Sequence, residues 1–400
     1  MKMVKALTLD LKKDGWDTSK GFIMREVPMP TLDEKKDPAD ATSVILKVRY
    51  AGFCGSDKGI WYRNAFRDMV HDSLSREGKS MRVLGHEFVG EIVEAGSMVK
   101  TLYYDPDKNN PAKIEVGSLV SGDSHVTCGR CFQCRIGEAH VCLNEAILGI
   151  SINGIFAEYV KIPAKNLWAV DERRVRPEIA AIYDPFGNAV HATTKVDFRG
   201  QRVAVFGCGP VGLFSILLAR NFGAAKVIAV DVNPANLKMA KELGAHEIVK
   251  IEKKQKTEEW ASDQEVVSKI MELTYGKGVD VSMEMAGPAS SLNNAIQSTR
   301  RGGDVIVFGI KDGDMTIPNF SRTIVVRGLT LHGIIGREIF KTWQIAQRVL
   351  SDKSNGVQDA IWNVILKKGK GTIVDFKKFT PESFEKALSE NPKIVFKING

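Results

Sequence analysis

Arg202-Val-Ala-Val-Phe-Gly-Cys-Gly-Pro-Val-Gly212 decides the architecture of this chain. A β-prone run ends at Phe206 and enters Gly207-Cys208-Gly209-Pro210-Val211-Gly212, a G-x-G-x-x-G. Helical periodicity follows from Pro210 to Phe222. Strand, glycine turn and helix in that order form a phosphate-binding corner. Gly207 permits the turn, Gly209 lets backbone approach a pyrophosphate, and Gly212 allows the helix to pack close to the strand. The helix N-terminus adds N–H donors and a positive dipole end. Glycines that merely serve a tight turn are the alternative. Against it stands Asp231, an acid at the end of the next strand candidate, residues 226–230. There it would accept from ribose hydroxyls and repel a 2′-phosphate, so NAD is expected rather than NADP.

Outward from this corner the same rhythm continues. Residues 234–243 read as a helix, with Asp231 or Asn233 available to cap it. Residues 247–251, 279–284, 304–308 and 324–332 are further strand candidates, with helical stretches between most of them. Alternating strand and helix imply an α/β fold with a doubly wound parallel sheet. Upstream, residues 43–50, 88–93 and 156–160 are β-prone runs in a Gly-rich, mostly-β lobe. Two polar stretches interrupt it, 62–81 and 103–113; within the second, Asp105-Pro-Asp-Lys-Asn-Asn-Pro111 has surface-loop chemistry. After residue 336 come a helix candidate, 340–350, and a last apolar run, 393–397. The expected units are residues 1–178, 179–335 and a C-terminal segment, 336–400, that returns to the first.

At 400 residues, two or three domains fit. The N-terminus has no apolar stretch of signal-peptide length, and no apolar run reaches a membrane span. A soluble protein of a reducing compartment, the cytoplasm, is expected. The net charge of +8 raises nucleic acid as a partner. Its Lys and Arg are interleaved with acids, however, as in residues 251–260, and nucleic-acid binders concentrate them on one face or tail.

Four of the six cysteines, Cys128, Cys131, Cys134 and Cys142, form C-x2-C-x2-C-x7-C. That spacing lets four thiolates converge on one ion, the closed shell of a structural zinc site. Disulfides would need an oxidising compartment, and iron–sulfur runs usually end C-x3-C-P. Further upstream stand Cys54 and the pair His86-Glu87. A thiolate, an imidazole and a carboxylate can hold zinc and leave one position open, where the ion acts as a Lewis acid toward an alcohol. A lone Cys and a His in a turn are more often structural. Here they occur together with the four-cysteine run and the glycine turn.

Gly85-His86-Glu87, the Cys128–Cys142 run and Gly207–Gly212, in this order, resemble the zinc-containing medium-chain alcohol dehydrogenases over nearly the whole chain. Several stretches resemble the family's L-threonine 3-dehydrogenase branch. They are Ser124-His-Val-Thr-Cys-Gly129, Phe156-Ala-Glu-Tyr159, Asp184-Pro-Phe-Gly-Asn-Ala-Val-His191 and Gly333-Ile-Ile-Gly-Arg-Glu-Ile-Phe-Lys-Thr-Trp343. The resemblance implies a GroES-like catalytic domain, a Rossmann domain, one catalytic and one structural zinc ion per subunit, NAD, an alcohol substrate and a homotetramer. By position it makes Cys54, His86 and Glu87 catalytic zinc ligands and Ser56 the relay hydroxyl, with Asp184 an acid near the zinc. Val211, Asp231, Phe308, Gly309, Ile310, Ile334 and Ile335 fall where the family contacts NAD. Arg337 becomes a partner for a substrate carboxylate, with an ion pair as the alternative.

Three departures bear on the substrate. Cys54-Gly-Ser-Asp-Lys-Gly59 ends in glycine where the family's relay has histidine, and His71 is a substitute that the sequence does not place. Asn236 stands where the family has an arginine, and the two polar stretches lengthen the chain. Zinc-dependent oxidation of a polyol, sugar alcohol or other secondary alcohol is the competing reading. A non-catalytic NAD-binding protein is the alternative from another class.

Overall fold

The alternating segments after residue 200 close into one parallel sheet. The computed structural model describes residues 2–104, 113–252, 258–311 and 313–400. The loop expected at 105–111 and residues 253–257 of the charged stretch lie outside them. Among the described residues the sheet runs Glu247–Lys250, Lys226–Asp231, Arg202–Phe206, Val279–Glu284, Thr299–Val307, Thr330–Gly333, every neighbouring pair parallel. Val203 and Val205 face one apolar core while Ala204 and Phe206 face another. A strand buried on both faces therefore reads as a continuous apolar run. Chain order reverses at Arg202–Phe206, and the crevice beyond its C-terminal end is where such sheets bind ligands.

The helix Pro210–Asn221 leaves that end with Gly209 as its cap. Asn233 caps the helix Pro234–Glu242 by accepting from the Ala235 N–H. Asp231, the other capping candidate, is turned toward the glycine turn instead.

The β-rich lobe centres on the long strand Ser43–Phe53. Glu87–Ala95 pairs along one edge; Tyr159–Pro163 and then Ile394–Lys397 share the other, all antiparallel. The last of these brings the far end of the sequence beside Cys54. A smaller antiparallel sheet, Ile23–Pro28, Met3–Asp10 and Met81–Val83, covers the lobe. The amphipathic helix Lys341–Ser351 buries Trp343, Ala346 and Leu350. No helix among the described residues is long and apolar enough to cross a membrane.

Three local expectations need correction. The polar stretch 62–81, set down only as an interruption of the β-prone runs, holds the helix Arg67–Glu77, which buries Val70 and Leu74 and stops at Gly78, φ +63°. Two apolar residues four apart suffice for one inward face. In 156–160, Phe156 bonds to the small sheet through Leu7 and Leu84, so the strand begins only at Tyr159. In 324–332 only Thr330–Gly333 is extended, because Ser321–Val325 forms a π-helical turn and Gly328 takes φ +62°.

Candidate metal and cofactor site

Strand register assembles the first cluster. Gly52 lies opposite Glu87 in the antiparallel pair, which brings Cys54, just past one strand, next to His86 and Glu87 at the start of the other. A Cβ on Gly52 would overlap the Glu87 carboxylate, so glycine is required at that position. The donor atoms of Cys54, His86 and Glu87 all lie within 4.8 Å of one another. His86 and Glu87 are buried, Cys54 is half-buried, and Glu87 Oε1 has no hydrogen-bond partner.

Around these donors sits a supporting set. Asp57, fully buried, accepts the Cys54 N–H at 2.9 Å through Oδ2, and its Oδ1 lies 3.4 Å from His86 Nδ1. Ser56 Oγ is 3.2 Å from His86 Nε2. Burial alone would lower the basicity of His86, but the Asp57 carboxylate and Cys54 outweigh it and raise it well above the ordinary histidine range. A field that favours a buried cation, three converging donors and an unpartnered carboxylate oxygen fit a zinc ion with one position left over.

Sequence reasoning missed Asp57 and Lys393. An acid three residues after a helix-capping position is a readable signal for Asp57. Nothing local marks Lys393, whose buried ammonium donates to Glu87 Oε2 and, at 3.0 Å, to the Phe53 carbonyl. Burial holds the Glu87 carboxyl above the usual carboxylate range, and Lys393 opposes that shift.

The structure corrects the expectation for Arg337. Its guanidinium is buried and all five N–H donors are used inside the protein. Asp123 takes two of them (2.9 and 2.7 Å), Asp184 one (2.8 Å), Asn188 one (3.0 Å) and Ser124 one (2.9 Å). None is left for a substrate carboxylate. The ion-pair alternative describes Arg337, in the interior rather than at the surface. Asp184 therefore stands beside Arg337, outside the cluster of Cys54, His86 and Glu87.

His71 packs edge-on against Trp16, with 5.7 Å between ring centroids. At Gly59 a Cβ would come 2.8 Å from that of Ala65, so the turn leaves little room for a side chain.

The four-cysteine lobe has donor atoms within 4.8 Å of one another and no disulfide. Backbone N–H groups of Arg130 and Cys131 lower the Cys128 thiol to about 6, while burial and its neighbours push Cys134 to about 12. Four crowded thiols cannot all ionise without a cation; zinc supplies one.

At the glycine turn Gly207 has φ +96°, and its N–H bonds the Val230 carbonyl at 2.8 Å. A Cβ on Gly212 would overlap the Gly207 carbonyl oxygen, whereas one on Gly209 meets nothing within 4 Å. Gly209 thus borders open space, as a backbone cradle for phosphate requires. Val211, half-buried, sits in that first helical turn. Asp231 accepts the Cys208 N–H at 2.6 Å and the Asn233 N–H at 2.7 Å, which aims it at the turn. Phe308 and Gly309 donate to the Glu284 carbonyl across the crevice. Ile310 and Ile335 expose apolar side chains, while Ile334 is buried.

The alcohol dehydrogenase GroES-like domain family matches residues 40–172, and the zinc-binding dehydrogenase family matches residues 210–352. The chain is 34% identical to an L-threonine 3-dehydrogenase of Bacillus subtilis over 85% of this chain and 86% of that one. It is 33% identical to that of Pyrococcus horikoshii over 89% and 91%. The chain belongs to the zinc-dependent alcohol dehydrogenases. Among solved structures, the 2R,3R-butanediol dehydrogenase of Bacillus subtilis superposes with a TM-score of 0.74 at 25% identity, covering 99% of this chain and 100% of that one. An alcohol dehydrogenase of Thermotoga maritima shares the fold, with a TM-score of 0.76 at 22% identity and 99% and 100% coverage. As a zinc-dependent alcohol dehydrogenase the chain is an oxidoreductase, with a GroES-like domain and a Rossmann sheet.

Proposed function

We propose that this dehydrogenase oxidises L-threonine at its 3-hydroxyl with NAD, giving 2-amino-3-oxobutanoate, NADH and a proton. The observation that carries this reading is the convergence of Cys54, His86 and Glu87, with one coordination position to spare. Threonine as substrate is supported by the names of relatives 32–36% identical over most of the chain.

Cys54, His86 and Glu87 would hold the catalytic zinc, and Gly207, Gly209, Val211, Gly212 and Asp231 would hold NAD. Phe308, Gly309, Ile310, Ile334 and Ile335 would line the nicotinamide side. When bound, zinc supplies a Lewis acid that favours the alkoxide, and NAD supplies the hydride acceptor. Asp57 orients His86 and anchors the Cys54 backbone. Ser56 accepts the alcohol proton at Oγ and passes it toward solvent, since position 59 has no side chain to take it. Asp231 repels a 2′-phosphate and selects NAD.

The units of this reading are residues 1–178 and 336–400 as the catalytic lobe and 179–335 as the NAD lobe. The cytoplasm is the compartment of this reading, since it needs five reduced cysteines as metal ligands. The homotetramer of this reading needs subunit contacts, for which apolar Val325 and Val326, and Leu331 on the edge strand Thr330–Gly333, are exposed.

A second reading, oxidation of a secondary alcohol without a carboxylate, is favoured by the full commitment of Arg337. The test is NADH absorbance with L-threonine, butane-2,3-diol, polyols and simple secondary alcohols. Threonine should give the highest kcat/KM; a diol or polyol exceeding it tenfold would overturn the substrate assignment.

A further inference from the structure

The helix Tyr183–Thr193 turns one stripe of residues toward a single short segment. Asp184, Gly187, Asn188 and His191 stand at i, i+3, i+4 and i+7, the spacing of one helix face. All four meet Gly336 or Arg337. Asp184 and Asn188 accept from Arg337 Nη1 at 2.8 and 3.0 Å. Gly187 makes room for the Arg337 stem, since a Cβ there would come 2.9 Å from Arg337 Cδ. His191 Nδ1 lies 3.0 Å from the Gly336 carbonyl oxygen. A carbonyl only accepts, so Nδ1 carries the proton. The ring is 1% exposed, and its Nε2 has no hydrogen-bond partner. Glu338 Oε1 lies 3.8 Å from Nε2, beyond a hydrogen bond, and the His140 ring packs edge-on at 5.3 Å. Burial holds His191 below the ordinary histidine range, so the ring is neutral and its one N–H is committed to Gly336.

That grip matters because of what precedes Gly336. The edge strand Thr330–Gly333 ends at residue 333, and the Ile334 N–H bonds the Val307 carbonyl at 3.0 Å. Ile334 and Ile335 are therefore fixed on one side by the sheet and on the other by Gly336, whose φ of +54° turns the chain. They lie at the C-terminal ends of two paired parallel strands, the edge where such sheets bind ligands. Ile335 is exposed there.

We propose that His191 is a positioning residue for the cofactor: through the Gly336 carbonyl it holds Ile334 and Ile335 against the nicotinamide ring. This rests on Ile334 and Ile335 lining the nicotinamide side. The adenosine and pyrophosphate fall to Gly207, Gly209, Gly212 and Asp231 on other strands, so His191 acts on one half of the cofactor only. Asn188 supports it by steadying Arg337, the residue after Gly336.

The test is titration calorimetry of the zinc-loaded full chain with NADH and with ADP-ribose, which lacks the nicotinamide. The parent should bind NADH more tightly than ADP-ribose. His191→Leu leaves the buried Gly336 carbonyl unpaired, and should weaken NADH roughly tenfold while ADP-ribose stays unchanged. His191→Asn, whose side-chain amide N–H replaces the Nδ1–H, should bind both ligands as the parent does. Asn188→Ala should show the same selective loss, and it decides the matter if His191→Leu does not fold. Parent-like NADH binding in His191→Leu, or equal losses for NADH and ADP-ribose, would overturn the proposal. So would a His191→Asn as weak as His191→Leu. A parent that binds the two ligands equally would overturn the nicotinamide-side reading itself, and the proposal with it.

Discussion

Lys393 and Glu87, 306 positions apart in sequence, form a fully buried ion pair. Strand pairing explains it: Ile394 lies opposite Phe53, so the last strand delivers its preceding lysine beside the first metal-ligand candidate. In the metal-free protein, replacing Lys393 by Met leaves Glu87 as an uncompensated buried charge, which costs about 3–5 kcal/mol in such pairs. Loss of an outer-shell partner typically weakens metal affinity 10- to 100-fold. Timed chelator extraction of Lys393→Met should therefore release one metal equivalent early. Retention equal to the parent's would mean the pair is only structural.

The two glycines of the cofactor turn should behave oppositely. Gly212→Ala forces a Cβ into the Gly207 carbonyl, and overpacking of this kind costs about 1–3 kcal/mol. Gly209→Ala meets open space at φ −67°, so stability should stay within about 1 kcal/mol while the KM for NAD rises roughly tenfold. Thermal melts and NAD titration separate the cases. A Gly209→Ala variant with unchanged KM would remove the phosphate cradle from the account.

Gly59→His should not restore a relay. Its Cβ would stand 2.8 Å from that of Ala65, so the variant should lose about 1–3 kcal/mol without a gain in kcat. A kcat that rises in Gly59→His would show that the turn opens more easily than its packing implies.

What was legible in the sequence was local. The run 202–206, the glycine turn and Asp231 announce themselves because strand, turn and acid are neighbours along the chain. The four cysteines do so by spacing. Arg337 did not: its partners Asp123 and Asp184 lie 214 and 153 residues away, so its commitment appears only when the lobes close on each other. Lys393 was invisible for the same reason. The helix Arg67–Glu77 was hidden by a polar surface with only Val70 and Leu74 as an apolar face.

Asp280 gives a pH signature away from the site. Burial would raise its carboxyl, but hydrogen bonds from Arg202 and Arg300 outweigh that and hold it at about 2, below the 3.8 of a free carboxyl. A depressed carboxylate adds stability above the unfolded value, and the contribution is lost as pH falls from about 4 toward 2. Discounted for solvent screening, it is about 1–2 kcal/mol. Unfolding free energies from urea titrations of Asp280→Asn and parent should differ by that much at pH 6 and converge as pH falls to about 2. A gap that is constant with pH would assign the loss to packing instead.

The central claim is that Cys54 belongs to a metal site where a secondary alcohol is oxidised, while Cys128, Cys131, Cys134 and Cys142 hold the structural ion. Zinc content and NADH production, measured together on parent protein and Cys54→Ala, test it most directly. We expect two zinc equivalents per chain and threonine-dependent NADH in the parent, and one equivalent and no NADH in the folded variant. Full activity in a Cys54→Ala protein that holds a single zinc would contradict the account.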